Sequence, residues 1–506
     1  MASSIRTVIR FRSIVFTSAV KHACKTLGRI FSSCSSGRIQ TRSSLYEHIK
    51  EGYSDKPKLD MLRICEHTDQ VISEVLNRKG DLVAADVRAI ICAWKQLQEV
   101  QKEINELEKH KKTISDKVRT LVEQHDKKVL SNLTAYKSLR DEGRKLRLRL
   151  SQLYSQQSDL EEEYYNGALR LPNRTHPDVP IGDESQAKVV EMLGQKPEFE
   201  FKAKGHLEIG ENLDIIRQRR LAHVSGHRSY FLRGAGAQLQ IALQNFALDI
   251  LQKRGFIPMV VPDMLKGAVF EGCGMQPYAH RSQVYSLDPS RFPNLNLAGT
   301  GEVGISGYFM DHAVNLKDLP VKTVCCSTCY RAETDTGREA WGLYRVHHFN
   351  KVEMFGVTAD ETGQESSQLL DEFVLLQKEI FSSLKLHFSS YLNFHTLTVR
   401  YCWYMLVHGG RCYRSCVSRA SNCTDYQSRR LNILYERSDG SSKYAHTVNA
   451  TACAIPRTII ALLETHQTKE GTVLVPEVLQ PYLGIEVIEK PSYTPLKYIG
   501  PNQPNR

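Results

Sequence analysis

The chain has 506 residues, of which 41% are apolar and 24% charged, with a formal net charge of +11. That length accommodates two or three domains with cores of their own. No apolar run reaches the roughly 18 residues that would suggest a membrane span, and the thirteen cysteines lack the dense, regular spacing of a disulfide framework.

The excess charge is local. Residues 1–46 hold Arg6, Arg10, Arg12, Lys21, Lys25, Arg29, Arg38 and Arg42, ten serines and no acid. Without them, lysine and arginine barely outnumber the acids, so the charge does not by itself mark a nucleic-acid binder. A basic, serine-rich, acid-free segment over 1–44 is the pattern of a mitochondrial transit peptide. It implies a matrix location, where most thiols stay reduced.

The next domain spans 45–180. No proline lies between Pro57 and Pro172, and no glycine between Gly80 and Gly143. Leu97, Val100, Ile104, Leu107, Lys111, Ile114, Val118 and Leu121 follow a 3-4 alternation with one polar intruder. After a break at 125–132, a second seam runs through Leu139, Leu146, Leu150, Leu153, Leu160 and Tyr164. Such seams predict two helices folded back as an antiparallel coiled-coil hairpin. At 1.5 Å per residue, about 35–40 residues make an arm of roughly 55–60 Å. Arg140, Arg144, Lys145, Arg147 and Arg149 on the second helix suit either a solvated face or a grip on phosphates.

LPNRTHPDVPIGDE (171–184) reads as an extended linker. Beyond it, 181–495 reads as a further, larger domain and 496–506 as a tail. GFIPMVVPDML, VKTVCCSTCYRAE and FNKVEMFGVT read as strands. AQLQIALQNFALDILQKRG and RTIIALLETHQ read as helices. The mixture predicts an α+β domain with a mainly antiparallel sheet. No P-loop or dinucleotide fingerprint occurs. Cys326 and Cys329 have zinc-knuckle spacing, but Cys412 and Cys416 do not complete a set of four ligands, so no zinc is expected.

The chemistry concentrates in CYRAETDTGREAWGLYRVHHFNKVEMFGV (329–357). Arg331 and Glu333 precede a loop with Arg338 and Arg345, and a strand with Phe349 and Glu353 follows. A fixed guanidinium, a stacking ring and carboxylates make a platform for a phosphorylated, aromatic ligand.

This order resembles motif 2 of the class II aminoacyl-tRNA synthetases. Pro262 resembles the motif 1 proline of the dimer interface, and Arg457 the motif 3 arginine. HLEIGENLDIIRQRRLAHVSGHRSYFLRG (206–234), Thr300-Gly301-Glu302, SNCTDYQSRR (421–430) and HTVNATACA (446–454) are similar to seryl-tRNA synthetases, and the leader points to their mitochondrial form. The resemblance implies a homodimer that joins serine and ATP into seryl-adenylate and passes the seryl group to tRNA(Ser), with tRNA(Sec) as a second acceptor. No enzyme nucleophile is needed, so catalysis rests on positioning and charge stabilisation.

The resemblance assigns Arg331 to the α-phosphate and the serine carboxylate, and Glu333 to the adenine amino group. Ala332 and Val346 border the ATP site. Phe349 and Arg457 enclose adenine, and Arg457 also reaches the γ-phosphate. Thr300, Gly301 and Glu302 form the site for the serine amine, and Glu353 with Thr451 takes the hydroxyl. Gly301 replaces the family's usual alanine, a change expected to loosen its loop. Mg²⁺ is expected to arrive with ATP, with no protein ligand assigned.

Residues 389–420 depart from the family. Its F-D-I-E-x-W strand is not found. By position Cys416, Val417, Ser418 and Arg419 stand for the E-V-S-S of G-E-V-S-S, whose glutamate binds metal and ATP. Two readings stay open. One is a diverged, catalytically impaired homologue that binds RNA or a partner protein. The other is a shifted reading frame or splice boundary over this stretch. A coiled-coil scaffold with a relic domain is disfavoured by the presence of both Arg331 and Arg457.

Overall fold

The computed structural model describes residues 43–78, 80–130, 132–182, 184–218, 222–279, 282–333, 342–392, 399–407, 413–493 and 499. The transit-peptide expectation falls almost wholly outside the described residues, as do Arg338, Cys412 and most of the tail.

The helices that matter here are α1 (Ser44–Lys50), α2 (Ala84–Gln124), α3 (Thr134–Ala168), α4 (Ala235–Lys253), α5 (Gly267–Gly272), α6 (Gly301–Phe309), α7 (Glu365–Ser383) and α8 (Ile455–Thr465). Helices α2 and α3 form the expected hairpin. Leu97, Val100 and Ile104 bury against Leu150, Leu153 and Leu160, while Ile114 and Leu146 continue the seam outward. Lys111 stays half-buried by turning its ammonium to Glu108, 2.8 Å away. Polar cross-links flank the seam: Arg149 to Glu103 at 2.7 Å, and the Tyr154 hydroxyl donating to Glu108 at 2.9 Å. These exposed pairs fix register more than they stabilise.

The linker after α3 is tied down. Asn173 donates to the Cys423 carbonyl at 2.9 Å. The buried Arg430 guanidinium donates to the carbonyls of Leu169 and Leu171 and lies 3.5 Å from the centroid of the Tyr426 ring. A buried cation survives there because carbonyl acceptors and a ring face replace water.

The part of the chain beyond the linker is built on one eight-stranded sheet. Its strands are β1 (Lys188–Leu193), β2 (Ile257–Met259), β3 (Val321–Tyr330), β4 (His348–Thr358), β5 (Phe388–Leu392), β6 (Val399–Val407), β7 (Tyr413–Thr424) and β8 (His446–Ala454). The spatial order is β1-β5-β6-β7-β8-β4-β3-β2. Every pairing is antiparallel except β2 with β3. Successive β4 residues face opposite cores. Met354 packs with α4, α7 and α8, and Phe355 packs with α5 and α6. Helix α4 stops before Gly255, whose φ of +83° suits a residue without a Cβ.

One expectation is corrected. Although the F-D-I-E-x-W pattern is absent, its place in the sheet is filled: β6 pairs with β5 on one side and β7 on the other. The physical reason lies in VRYCWYMLV, a run rich in aromatic and β-branched residues that suits a pleated ladder. The described residues of this stretch thus take their places in the sheet.

Candidate active site

Strand ends bring the chemistry together. Arg331 leaves β3, and Phe349 on β4 pairs with Cys329. The Arg331 guanidinium lies 5.1 Å over the Phe349 ring, and Nε and Nη2 donate to the Gly299 carbonyl. Glu333 is buried at a φ of +45°, an unfavourable conformation for a side chain with a Cβ. It is held by Arg228, which donates to its carbonyl, and by Arg345, whose Nη1 donates to the carboxylate at 3.1 Å.

Opposite stands Arg457 in the first turn of α8. Its Nε and Nη2 donate to the Tyr344 carbonyl at 3.3 Å, and Nη1 donates to the Cys416 carbonyl. Arg331, Glu333, Val346, Phe349, Thr451 and Arg457 line one cavity, and Cys416, Val417, Ser418 and Arg419 of β7 form its far wall. The β6–β7 register slips between Trp403 and Tyr404, so Ser418 and Cys416 face them while Val417 is left unpaired. Such a bulge re-aims the side chains beside it.

Behind this cavity lies a smaller polar corner. Thr300 caps α6, its hydroxyl accepting from the Glu302 backbone amide. Glu302 accepts from Gln427 and Asn449, each at 2.7 Å. A second register slip, between Val352 and Glu353, sets Glu353 opposite Thr451, whose hydroxyl donates to it at 3.1 Å. Lys351 is buried between them, with Nζ 2.7 Å from the Thr300 hydroxyl and 2.6 Å from the Glu353 carboxylate.

Lys351, Asn449 and Gln427 are site neighbours that reading the sequence did not single out. Lys351 had a visible signal. It stands two before Glu353 on a strand, hence on the same face. Ala332 is at the edge, its amide donating to the Gln283 carbonyl at 2.9 Å. Pro262 lies elsewhere, exposed after β2.

The glycine at 301 has a local cause. A Cβ there would come within 2.2 Å of the Cys325 sulfur. The loop is filled by the cysteine rather than loosened. Cys326 and Cys329 are three apart on one strand, so they face opposite sides and do not converge on one ion. Burial pushes the Cys325 thiol up to about 12 and Cys326 to about 11, which keeps both protonated and poorly nucleophilic.

A divalent cation held by the protein needs oxygen donors, with near-octahedral geometry for magnesium. Glu333 is committed to Arg345, Glu353 to Lys351 and Thr451, and Glu302 to Gln427 and Asn449. Cys416 offers a soft sulfur instead of a carboxylate. Among the described residues no group of three or more His, Cys, Asp and Glu forms a metal site. This donor set does not fit a protein-ligated magnesium ion.

A mainly antiparallel sheet with Arg331 at the end of β3, closed by helix α8 with Pro456 and Arg457 in its first turn, is the architecture of a class II synthetase core. Residues 285–466 match the family model described as tRNA synthetase class II core domain (G, H, P, S and T). The mitochondrial serine–tRNA ligase of Mus musculus is 56% identical over 472 residues, covering 92% of this chain and 91% of that protein. Its counterpart from Bos taurus is 54% identical over the same shares. The crystal structure of seryl-tRNA synthetase from Pyrococcus horikoshii complexed with ATP superposes with a TM-score of 0.77 at 29% identity, covering 86% of this chain and all of that one. The chain belongs to the serine–tRNA ligase family.

Proposed function

We propose that the cavity binds ATP and the polar corner binds serine, that the two are joined as seryl-adenylate, and that the seryl group passes to the 3′ end of tRNA(Ser). The observation that carries this reading is the single cavity lined by Arg331, Glu333, Phe349 and Arg457, backed by the cluster around Glu353. Arg331 orients the serine carboxylate for attack on the α-phosphate, because its planar fork suits both anions. Phe349 and Arg457 enclose adenine, with Glu333 accepting from its amino group. The serine amine meets Thr300 and Glu302, and its hydroxyl meets Glu353 and Thr451. A site built around a hydroxyl rejects alanine by about 10⁴ or more, since its buried polar groups would be left unpaired. ATP bound by the Pyrococcus relative supports the nucleotide assignment.

The hairpin reaches out to tRNA, its α3 face supplying cations to phosphates. Homodimerisation through the segment around Pro262 is supported by exposed apolar side chains there: Val260 is 99% exposed, Ile257 56% and Met264 54%. The mitochondrial names of the mouse and cattle relatives support the acid-free N-terminal stretch as an import leader and the matrix as destination.

The test is serine-dependent ATP–pyrophosphate exchange. The unmodified chain is expected near background, because Cys416 and Arg419 replace groups that the reaction uses. Ser415→Gly, Cys416→Glu and Arg419→Ser, combined with a rebuilt 399–407 strand, are expected to restore it. A rebuilt chain that shows no exchange refutes the serine-activating reading. Full exchange in the unmodified chain refutes the assignment of the defect to this wall.

A further inference from the structure

The segment around Arg228 precedes the β3–β4 pair by about a hundred positions in sequence, yet it closes on both legs of that pair. The Arg228 carbonyl accepts from the His347 amide at 3.2 Å, one residue before β4. The Arg228 guanidinium donates through Nη1 to the Glu333 carbonyl, three residues beyond β3. Tyr230 stacks on His348 with ring centroids 5.5 Å apart, and the Ser229 hydroxyl donates to the Ser225 carbonyl at 2.9 Å. One residue thus bridges the leg that carries Arg331 and Glu333 to the leg that leads into Phe349. The bridge also joins two unfavourable backbones, with φ +61° at Arg228 and +45° at Glu333. Such conformations persist in residues with a Cβ only where neighbours over-determine them. Along the same leg the Arg331 amide donates to the His347 carbonyl and the Ala332 amide to the Gln283 carbonyl, each at 2.9 Å. At Glu333 it is a side chain that holds the backbone.

We propose that Arg228 is a positioning residue for adenine recognition: by fixing the Glu333 carbonyl it holds the Glu333 carboxylate where the adenine amino group donates to it. A carbonyl fixed in direction fixes the peptide beyond Glu333 and keeps that residue left-handed. Its buried carboxylate is then turned toward Arg345 and the cavity it lines. Released from Arg228, Glu333 relaxes to an ordinary φ, and its side chain swings away from that place. Arg228 needs no contact with the nucleotide for this, because it acts through Glu333. The inference rests on the reading of this cavity as an adenylate site.

Calorimetry on the full chain compares AMP with purine riboside 5′-monophosphate, which lacks only the 6-amino group. The unmodified chain is expected to prefer AMP by about tenfold, the usual weight of a hydrogen bond to a charged acceptor. Arg228→Ala is expected to weaken AMP by about tenfold and leave the purine nucleotide within about twofold, which abolishes the preference. Binding of the purine nucleotide also reports that the variant is folded. Arg228→Lys, which keeps a cationic donor, is expected to restore a preference of about threefold. A purely structural role would weaken both nucleotides alike, so equal losses in Arg228→Ala overturn the proposal. A full preference for AMP in Arg228→Ala overturns it too, as does an Arg228→Lys variant no better than Arg228→Ala. If the unmodified chain binds neither nucleotide, or both equally, the adenylate reading itself fails and takes the proposal with it.

Discussion

Gly301 and Cys325 show how a single residue choice is settled by its neighbour. The 2.2 Å approach of a Cβ to the buried sulfur leaves room for hydrogen alone. Gly301→Ala is therefore expected to destabilise the fold by about 1–3 kcal/mol, the usual cost of overpacking. Adding Cys325→Ala is expected to recover part of that loss, although Cys325→Ala alone leaves a small cavity. Urea midpoints of the two single variants and the double variant measure the coupling. Strict additivity would show that the two side chains do not compete for one space. At this scale the sequence singled out Arg331, Glu333, Phe349 and Arg457, which stand in short stretches with few alternative readings and which the structure brings to one cavity. It did not disclose Lys351 or Asn449. A lysine two before a glutamate is commonplace on a surface strand, and only burial between Thr300 and Glu353 makes it part of a site. The bulge that sets Glu353 opposite Thr451 also has no signature in either strand alone.

Elements were legible where periodicity was long. The hairpin seams, α4 and α8 followed from apolar spacing, because a helix repeats its pattern over several turns. Strand β6 was not, because VRYCWYMLV lacks the F-D-I-E-x-W pattern and pairs through its aromatic and β-branched content instead. Strand β8, one place beyond β7 in the sheet, carries a pH-sensitive group. His446 opens that strand, with Nδ1 3.2 Å from the Ser366 hydroxyl and Nε2 3.4 Å from Asp360. Burial lowers its pKa and outweighs the opposing pull of Asp360 and Asp425. The folded state thus favours the neutral ring. The stability this contributes is fully present above the ordinary histidine value of 6.5 and is lost as pH falls through the lower folded value. His446→Gln is expected to flatten the fall in urea midpoint between about pH 7.5 and pH 5.5, which titrates this range. An equally steep fall in the variant would assign the pH dependence to other groups.

At the largest scale, a sheet that carries the candidate site is joined to a helical arm that extends from it. The anchorage of the arm's root by Asn173 and Arg430 means that its direction is set by the catalytic domain. Deleting 90–165 is expected to remove binding of serine tRNA on filters at moderate salt while leaving ATP affinity within about twofold, since α2 and α3 bury their seams mainly against each other. Retained tRNA binding in the shortened chain would place the grip elsewhere. Loss of ATP affinity would instead reveal that the arm supports the sheet.

Glu271 joins the two ends of this arrangement. Buried in α5, its carboxylate accepts from the Ser43 hydroxyl at 2.6 Å and from the amides of Ser44 and Leu45 at 2.9 and 3.0 Å. Helix α1 is thus clasped at its first turn by a residue of the catalytic core. On the proposed reading of the N-terminal stretch as an import leader, its removal meets a limit written into the folded protein. A cut before Ser43 leaves the clasp whole. A cut beyond Leu45 strips a buried carboxylate of its donors, at about 1–3 kcal/mol for each unmatched group. The tolerated cut is thus governed by Glu271, more than two hundred positions downstream.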